Sequence, residues 1–132
     1  MSQESVEIVR AHYEALAAGD AKAALAAIHP EIEIVDHDLP DADEPYTGLV
    51  GMARWQTDWE GSWASWRWEP EQFIAAGTRV VAVLQLYAEG RGSGVAVERL
   101  DAVVWSLQDG RCIRLDYYGS KTAALQAVGL AE

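Results

Sequence analysis

The chain has 132 residues, half of them hydrophobic, a formal net charge of −11 and a single cysteine, Cys112. This is the size and composition of one folded domain, not of a disordered chain. The negative charge argues against nucleic acid and anionic membrane surfaces as partners. The lone cysteine rules out an intrachain disulfide and fits a reducing, cytoplasmic setting.

No basic segment precedes an apolar run, so no signal peptide is expected, and no apolar stretch approaches the ~20 residues that span a bilayer. In chain order, residues 3–18 predict a helix, with Val6, Val9, Tyr13 and Leu16 at helical spacing. Gly19 stops it. Asp20 caps a second, alanine-rich helix that runs to Pro30. A strand over 31–37 follows, with Ile32, Ile34 and Asp36 on one face and Glu31, Glu33 and Val35 on the other. A third helix opens at Thr47 or Gly48. Met52, Trp59 and Trp63 form its apolar stripe, with Trp55 on the flank.

From Trp66 the pattern turns to strands. "WRWEPEQFIAAG" reads as one interrupted strand that Pro70 confines to an edge or bulge. "TRVVAVLQLYAEG" and "SGVAVERLDAVVWSL" are two long strands joined by a glycine-rich turn. Asp109-Gly110 marks a tight hairpin leading to "CIRLDYYG". Ser120 caps a short closing helix over 121–128. Helices first, then a run of strands, gives one α+β domain.

The pieces "YEALAAGDAKAALAAIHPEIEI", "YTGLVGM", "GRGSGVAVE", "VVWSLQDGRCIRLDYY" and "AALQAVGL", in that order, resemble SnoaL-like proteins of the nuclear transport factor 2-like superfamily. The resemblance covers essentially the whole chain. It implies a strongly curved antiparallel sheet wrapped by helices into a cone with a deep pocket, a cystatin-like α+β barrel. It does not choose a reaction, because ketosteroid isomerases, polyketide cyclases, dehydratases, epoxide hydrolases and non-catalytic proteins share that fold. It implies a small apolar organic ligand, no cofactor, no metal, and a homodimer formed through the outer face of the sheet.

Site residues follow from the same resemblance. Asp36 lies sixteen positions after Asp20, where ketosteroid isomerases hold their catalytic base. Its alternative role is to cap the loop at the strand end. Asp101 corresponds to an acid that donates a hydrogen bond to the developing enolate, but Arg99 shares its face, so an ion pair is the other reading. Val103 and Trp105 lie on that face too. His12 falls where the isomerases have the tyrosine of their oxyanion hole. As a neutral imidazole it could donate a hydrogen bond or act as a base; as a partly exposed helical histidine it would do neither. Tyr13, one position on, belongs to the core stripe and, with Val103 and Leu115, is a candidate ligand contact. Tyr117 and Leu115 share the pocket-facing side of the last strand. Limonene epoxide hydrolases have an Asp at the place of Tyr117, and their Arg-x-Asp lies one strand earlier than Arg99-Leu100-Asp101, so the chain departs from them twice. Trp55, Trp59 and Trp63 form either an aromatic pocket wall or plain core. His37 should point away from Asp36. Asp38, Asp41, Asp43 and Glu44 read as a solvated rim, with Tyr46 over the mouth. "DHD" is weak as a metal motif, since no second histidine has ligand spacing.

Overall fold

The structure, a computed structural model, describes residues 2–39 and 44–130. Asp41 and Asp43 of the expected rim lie outside the described residues. Three helices come first: α1 (Ser2–Ala17), α2 (Ala21–Leu25) and α3 (Gly48–Gly61). The strands are β1 (Ile28–Asp36), β2 (Tyr46–Thr47), β3 (Trp63–Ala76), β4 (Arg79–Gly90), β5 (Ala96–Gln108) and β6 (Arg111–Tyr118), and α4 (Lys121–Ala127) closes the described chain. The architecture is α+β, with one curled, unclosed six-stranded sheet in the order β2-β1-β6-β5-β4-β3.

The sheet is mixed where the sequence led us to expect antiparallel pairing throughout. β1 runs parallel to β6, with Ile34 opposite Leu115 and Asp36 opposite Tyr117. The other ladders are antiparallel. Two boundaries also differ from expectation. α2 ends at Leu25, well before Pro30, because the chain is already committed to β1: Cys112 N–H donates to Ala27 O at 2.7 Å and Ile28 pairs with Cys112. Pro30, which has no N–H to give, falls where the β1–β6 register shifts between Ile28 and Glu33. β3 starts at Trp63, three residues before the expected Trp66. It is an edge strand, and its register shifts between Pro70 and Gln72, as the proline required.

The β5–β6 turn is a two-residue hairpin. Asp109 and Gly110 both have positive φ, 52° and 78°, the combination a two-residue hairpin needs to match strand twist.

The main core lies inside the curl. Ile32 and Ile34 of β1, Leu84 and Leu86 of β4, Trp105 of β5 and Tyr117 of β6 are almost fully buried there, against Val9 and Tyr13 of α1 and Trp55 and Trp59 of α3. A second cluster lies on the outer face, where α4 brings Ala124, Leu125 and Val128 onto Val81, Val83, Ala102 and Val104. Thus α4, not the first three helices, covers the outer face, and Leu100 remains 38% exposed beside it. Cys112 is buried, with its thiol donating to Arg114 O and its pKa pushed up to about 12 by burial, so it is chemically quiet. No helix among the described residues is long and apolar enough to cross a membrane.

Candidate functional site

The pleat of β1 carries Asp36 inward behind Ile32 and Ile34, both fully buried. Asp36 is itself 7% exposed. Its Oδ2 accepts from the Trp55 indole Nε1 at 2.9 Å, and its Oδ1 accepts from the Asp38 backbone N–H at 3.0 Å. Burial raises its pKa above the usual carboxylate range, and these two donors work against the rise. The next residue leaves the site. His37 lies on the outer face, its Nε2 2.8 Å from Asp116 Oδ1 and its ring stacked on Tyr118 at 4.3 Å. Asp38 turns back to accept from Gly119 N–H. Tyr46 donates to Asp58 on α3 at 2.7 Å. "DHD" is therefore split between two faces, and no cluster of metal-ligating side chains forms among the described residues.

The parallel β1–β6 ladder sets Tyr117 directly beside Asp36. The Tyr117 hydroxyl accepts from Arg99 Nη2 at 2.8 Å. Burial, then the neighbouring Asp101 carboxylate, raises the phenol's pKa, so it stays protonated. Arg99 Nε donates to Asp101 Oδ1 at 2.7 Å, and Trp68 Nε1 donates to Asp101 Oδ2 at 3.0 Å. Asp101 is fully buried. Burial raises its carboxyl, while Trp68 and Arg99 oppose that rise. Both of its oxygens already accept from donors, so a proton on either would displace one. Of the two readings of Asp101, the geometry is that of an ion pair with Arg99. Its removal should be costly: Asp101→Ala strands a guanidinium and leaves the Trp68 N–H unpaired. The expected loss in urea unfolding is about 3 kcal/mol, the low end of the ~3–5 for a broken buried pair, because the Arg99 side chain is 35% exposed and can rehydrate. A loss below about 1 kcal/mol would show the pair to be solvated.

These groups surround two chambers. One, of about 140 Å³, is lined by Asp36, Asp38, Trp55, Trp59, Arg99 and Tyr117, with Trp63 and Asp58 at its wall. The other, of about 70 Å³, is lined by His12, Tyr13, Met52, Trp55, Val103, Trp105 and Leu115, among others. Trp55 and Trp59 line both and so form the wall between them. The sequence-predicted residues divide accordingly: Asp36 and Tyr117 share one chamber with Trp63, whereas His12, Tyr13, Val103 and Leu115 belong to the other. His12 does not face Asp36.

Trp63 is not on α3, as its helical spacing suggested, but is the first residue of β3. The helix ends at Gly61, where Ser62 N–H reaches Trp59 O and Arg91 donates to the carbonyls of Gly61 and Trp63. A cation at the last carbonyls both satisfies and complements a helix C-terminus. Trp59 then meets Trp63, Trp66, Trp68 and Tyr117 with ring centroids 4.9–5.7 Å apart. Trp68 is the residue that sequence reasoning missed; its signal was the alternation of Trp66 and Trp68 with Arg67 and Glu69, which puts both indoles on the inner face.

A SnoaL-like domain model matches residues 9–115. No curated protein matches the chain. Among solved structures, it is similar to a protein described as a SnoaL-like polyketide cyclase from a Jannaschia species (17% identity, 99% of this chain and 95% of that one, TM-score 0.75). It is also similar to a protein with a ketosteroid isomerase-like fold from Catenulispora acidiphila, in complex with trimethylamine (18%, 94% and 93%, 0.69), and to TerC crystallised with polyporic acid (19%, 95% and 98%, 0.73). At these identities the structural likenesses establish the fold alone; with the domain match over most of its length, the chain belongs to the SnoaL-like domain family.

Proposed function

We propose that the chain is an acid–base enzyme acting on a small, largely apolar carbonyl or hydroxyl compound, with Asp36 as the base. The observation that carries this reading is the placement of a buried carboxylate, held by two donors and raised in pKa, on the wall of a chamber beside a protonated phenol that a guanidinium polarises. In the proposed step Asp36 takes a proton from the carbon next to a carbonyl. The C–H electron pair moves into the C–C bond and the carbonyl π pair onto oxygen, where the Tyr117 hydroxyl, turning its hydrogen bond from Asp101, donates to the developing enolate. Return of the proton to another carbon gives isomerisation; loss of a β-hydroxyl as water gives dehydration; attack of the enolate on a second carbonyl gives cyclisation.

Chambers of about 70 and 140 Å³ fall below the ~300–1,000 Å³ typical of drug-sized ligands, which limits the substrate to a few heavy atoms in this conformation. The test is α-hydrogen exchange of cyclopentanone and similar small ketones in D₂O, followed by proton NMR. Exchange above the buffer rate supports the reading, and exchange at the buffer rate across such a panel removes it. A second reading, non-catalytic ligand binding, is favoured by the indoles of Trp55 and Trp59 standing across the middle of the cone.

The assembly follows from the outer face. With α4 on Val81, Val83, Ala102 and Val104, the strip around Leu100, 38% exposed on the same face of β5, is available to a second copy. Light scattering at micromolar concentration should give a dimer mass in a reducing, cytoplasm-like buffer; a monomer mass would remove the assignment.

A further inference from the structure

The smaller chamber holds a polar group that the Asp36 chemistry leaves unused. His12 is 6% exposed, and its Nδ1 lies 2.8 Å from the carbonyl oxygen of Ala24 on α2. A carbonyl only accepts, so Nδ1 carries the hydrogen and donates it. Burial lowers the imidazole pKa below its ordinary value, with the Ala24 bond acting in the opposite direction, so the ring is neutral. A neutral imidazole with Nδ1–H has a bare lone pair on Nε2.

Nδ1 points to α2, and Ala24 does not line the chamber, so Nε2 faces away from α2. Among the described residues no donor meets it. Nor is it sealed: the fully enclosed side-chain nitrogens without a partner are Trp59 Nε1 and Trp63 Nε1. The chamber wall therefore presents an open acceptor. The ring is fixed edge-on against Tyr13 (5.0 Å, 87°) and Trp105 (4.7 Å, 67°), and Trp105 Nε1 in turn donates to the Tyr13 hydroxyl at 3.1 Å. Around it the lining is mostly apolar: Leu16, Met52, Trp55, Val103 and Leu115.

We propose that this chamber is a binding subsite for the hydroxyl of an alcohol or phenol, whose O–H donates to His12 Nε2. The chamber, about 70 Å³, takes the hydroxyl end. The ligand's apolar body extends into a groove of about 250 Å³ between α1 and β3 that shares Tyr13, Leu16, Trp66 and Trp68 with it. The role is the reverse of the one the isomerase resemblance implies for this position: an acceptor in place of a donor. It does not depend on Asp36 acting as a base. A buried acceptor in apolar surroundings selects for a donor, because a ligand without one leaves the nitrogen desolvated and unpaired.

The test uses the full chain, labelled with ¹⁵N-histidine, and two probes, phenol and its methyl ether anisole. In the free protein His12 Nδ1 should be protonated and Nε2 bare. Saturating phenol should move the Nε2 resonance upfield, as acceptance of a hydrogen bond requires. Anisole should bind at least tenfold more weakly and leave it in place. His12→Phe should abolish the tenfold preference. A protonated Nε2 in the free protein, equal affinity for the two probes, an unmoved Nε2 with phenol bound, or no binding of phenol would each overturn the subsite. These readouts concern His12 alone, so their failure is distinct from failure of catalysis at Asp36.

Discussion

Asp36→Asn is expected to fold and to lose about 10²–10⁴-fold in turnover of any substrate that wild type processes, the usual contribution of one positioned acid–base group. The amide keeps the shape of the carboxylate but cannot take a proton from carbon. It also has one acceptor oxygen where Asp36 uses two, for Trp55 Nε1 and Asp38 N–H, so one of those donors loses its partner, at a cost of about 1 kcal/mol. A second effect opposes that cost. Because burial raises the Asp36 pKa above its unfolded value, the native state holds the proton more tightly than the unfolded chain does. Stability contributed by this group is therefore present below the unfolded pKa and falls as pH rises toward the raised folded value. Above the unfolded pKa the buried carboxyl is therefore a liability that the Asn variant lacks, so the two changes partly cancel and the variant's stability depends less on pH across the acid range. Turnover should depend on the same group in the opposite sense, rising as Asp36 ionises. Glu31→Gln, at an exposed position on the opposite face of β1, serves as the control and should change neither. Full activity in Asp36→Asn, or equal losses in the two variants, would remove Asp36 from the chemistry. Titration of Asp36 by NMR at the value of a free aspartate would place its carboxyl in solvent.

The inward turn of Asp36 was legible because alternation is local: two isoleucines at Ile32 and Ile34 define a buried face, and the residue two further on must share it. The outward turn of His37 was legible for the same reason. What alternation could not supply was the neighbour. That Tyr117 lies beside Asp36 depends on the parallel β1–β6 ladder, a pairing across most of the chain that leaves no local trace. Trp63 was misplaced because its angular position extends the α3 stripe. The helix ends instead where Arg91, thirty residues on, holds its final carbonyls, those of Glu60 and Gly61. The separation of His12 from Asp36 had no sequence signal either. Both residues do turn toward the inside of the cone, but the wall between them is made by how two indoles pack, and packing is decided by the whole set of ring contacts at once. The order of elements and the α+β class were the most legible features, since they rest on many local patterns that agree.

Trp59→Ala should destabilise about as much as Asp101→Ala and should turn the two chambers into one. Trp59 is 9% exposed and touches four other aromatic rings. Large-to-small replacement of such a residue costs ~3–5 kcal/mol. The indole also carries a liability, because its Nε1 is buried without an acceptor, and loss of that group returns part of an expected ~1–3 kcal/mol. The net loss in urea unfolding should be about 3 kcal/mol, a large share of the ~5–15 kcal/mol that holds a domain together. Trp59→Phe separates the two contributions: it keeps an aromatic ring in the wall and removes the orphan donor, so it should cost less than about 1 kcal/mol. The alanine variant opens apolar space between the chambers of about 70 and 140 Å³. An apolar cavity of roughly 150 Å³ suffices to bind benzene. Benzene or toluene should therefore raise the melting temperature of Trp59→Ala in proportion to the logarithm of its concentration once it exceeds Kd, and leave wild type unchanged. A loss below about 1 kcal/mol in the alanine variant, or no response to either aromatic, would mean that Trp59 is a movable lid and that the wall between the chambers is not part of the core.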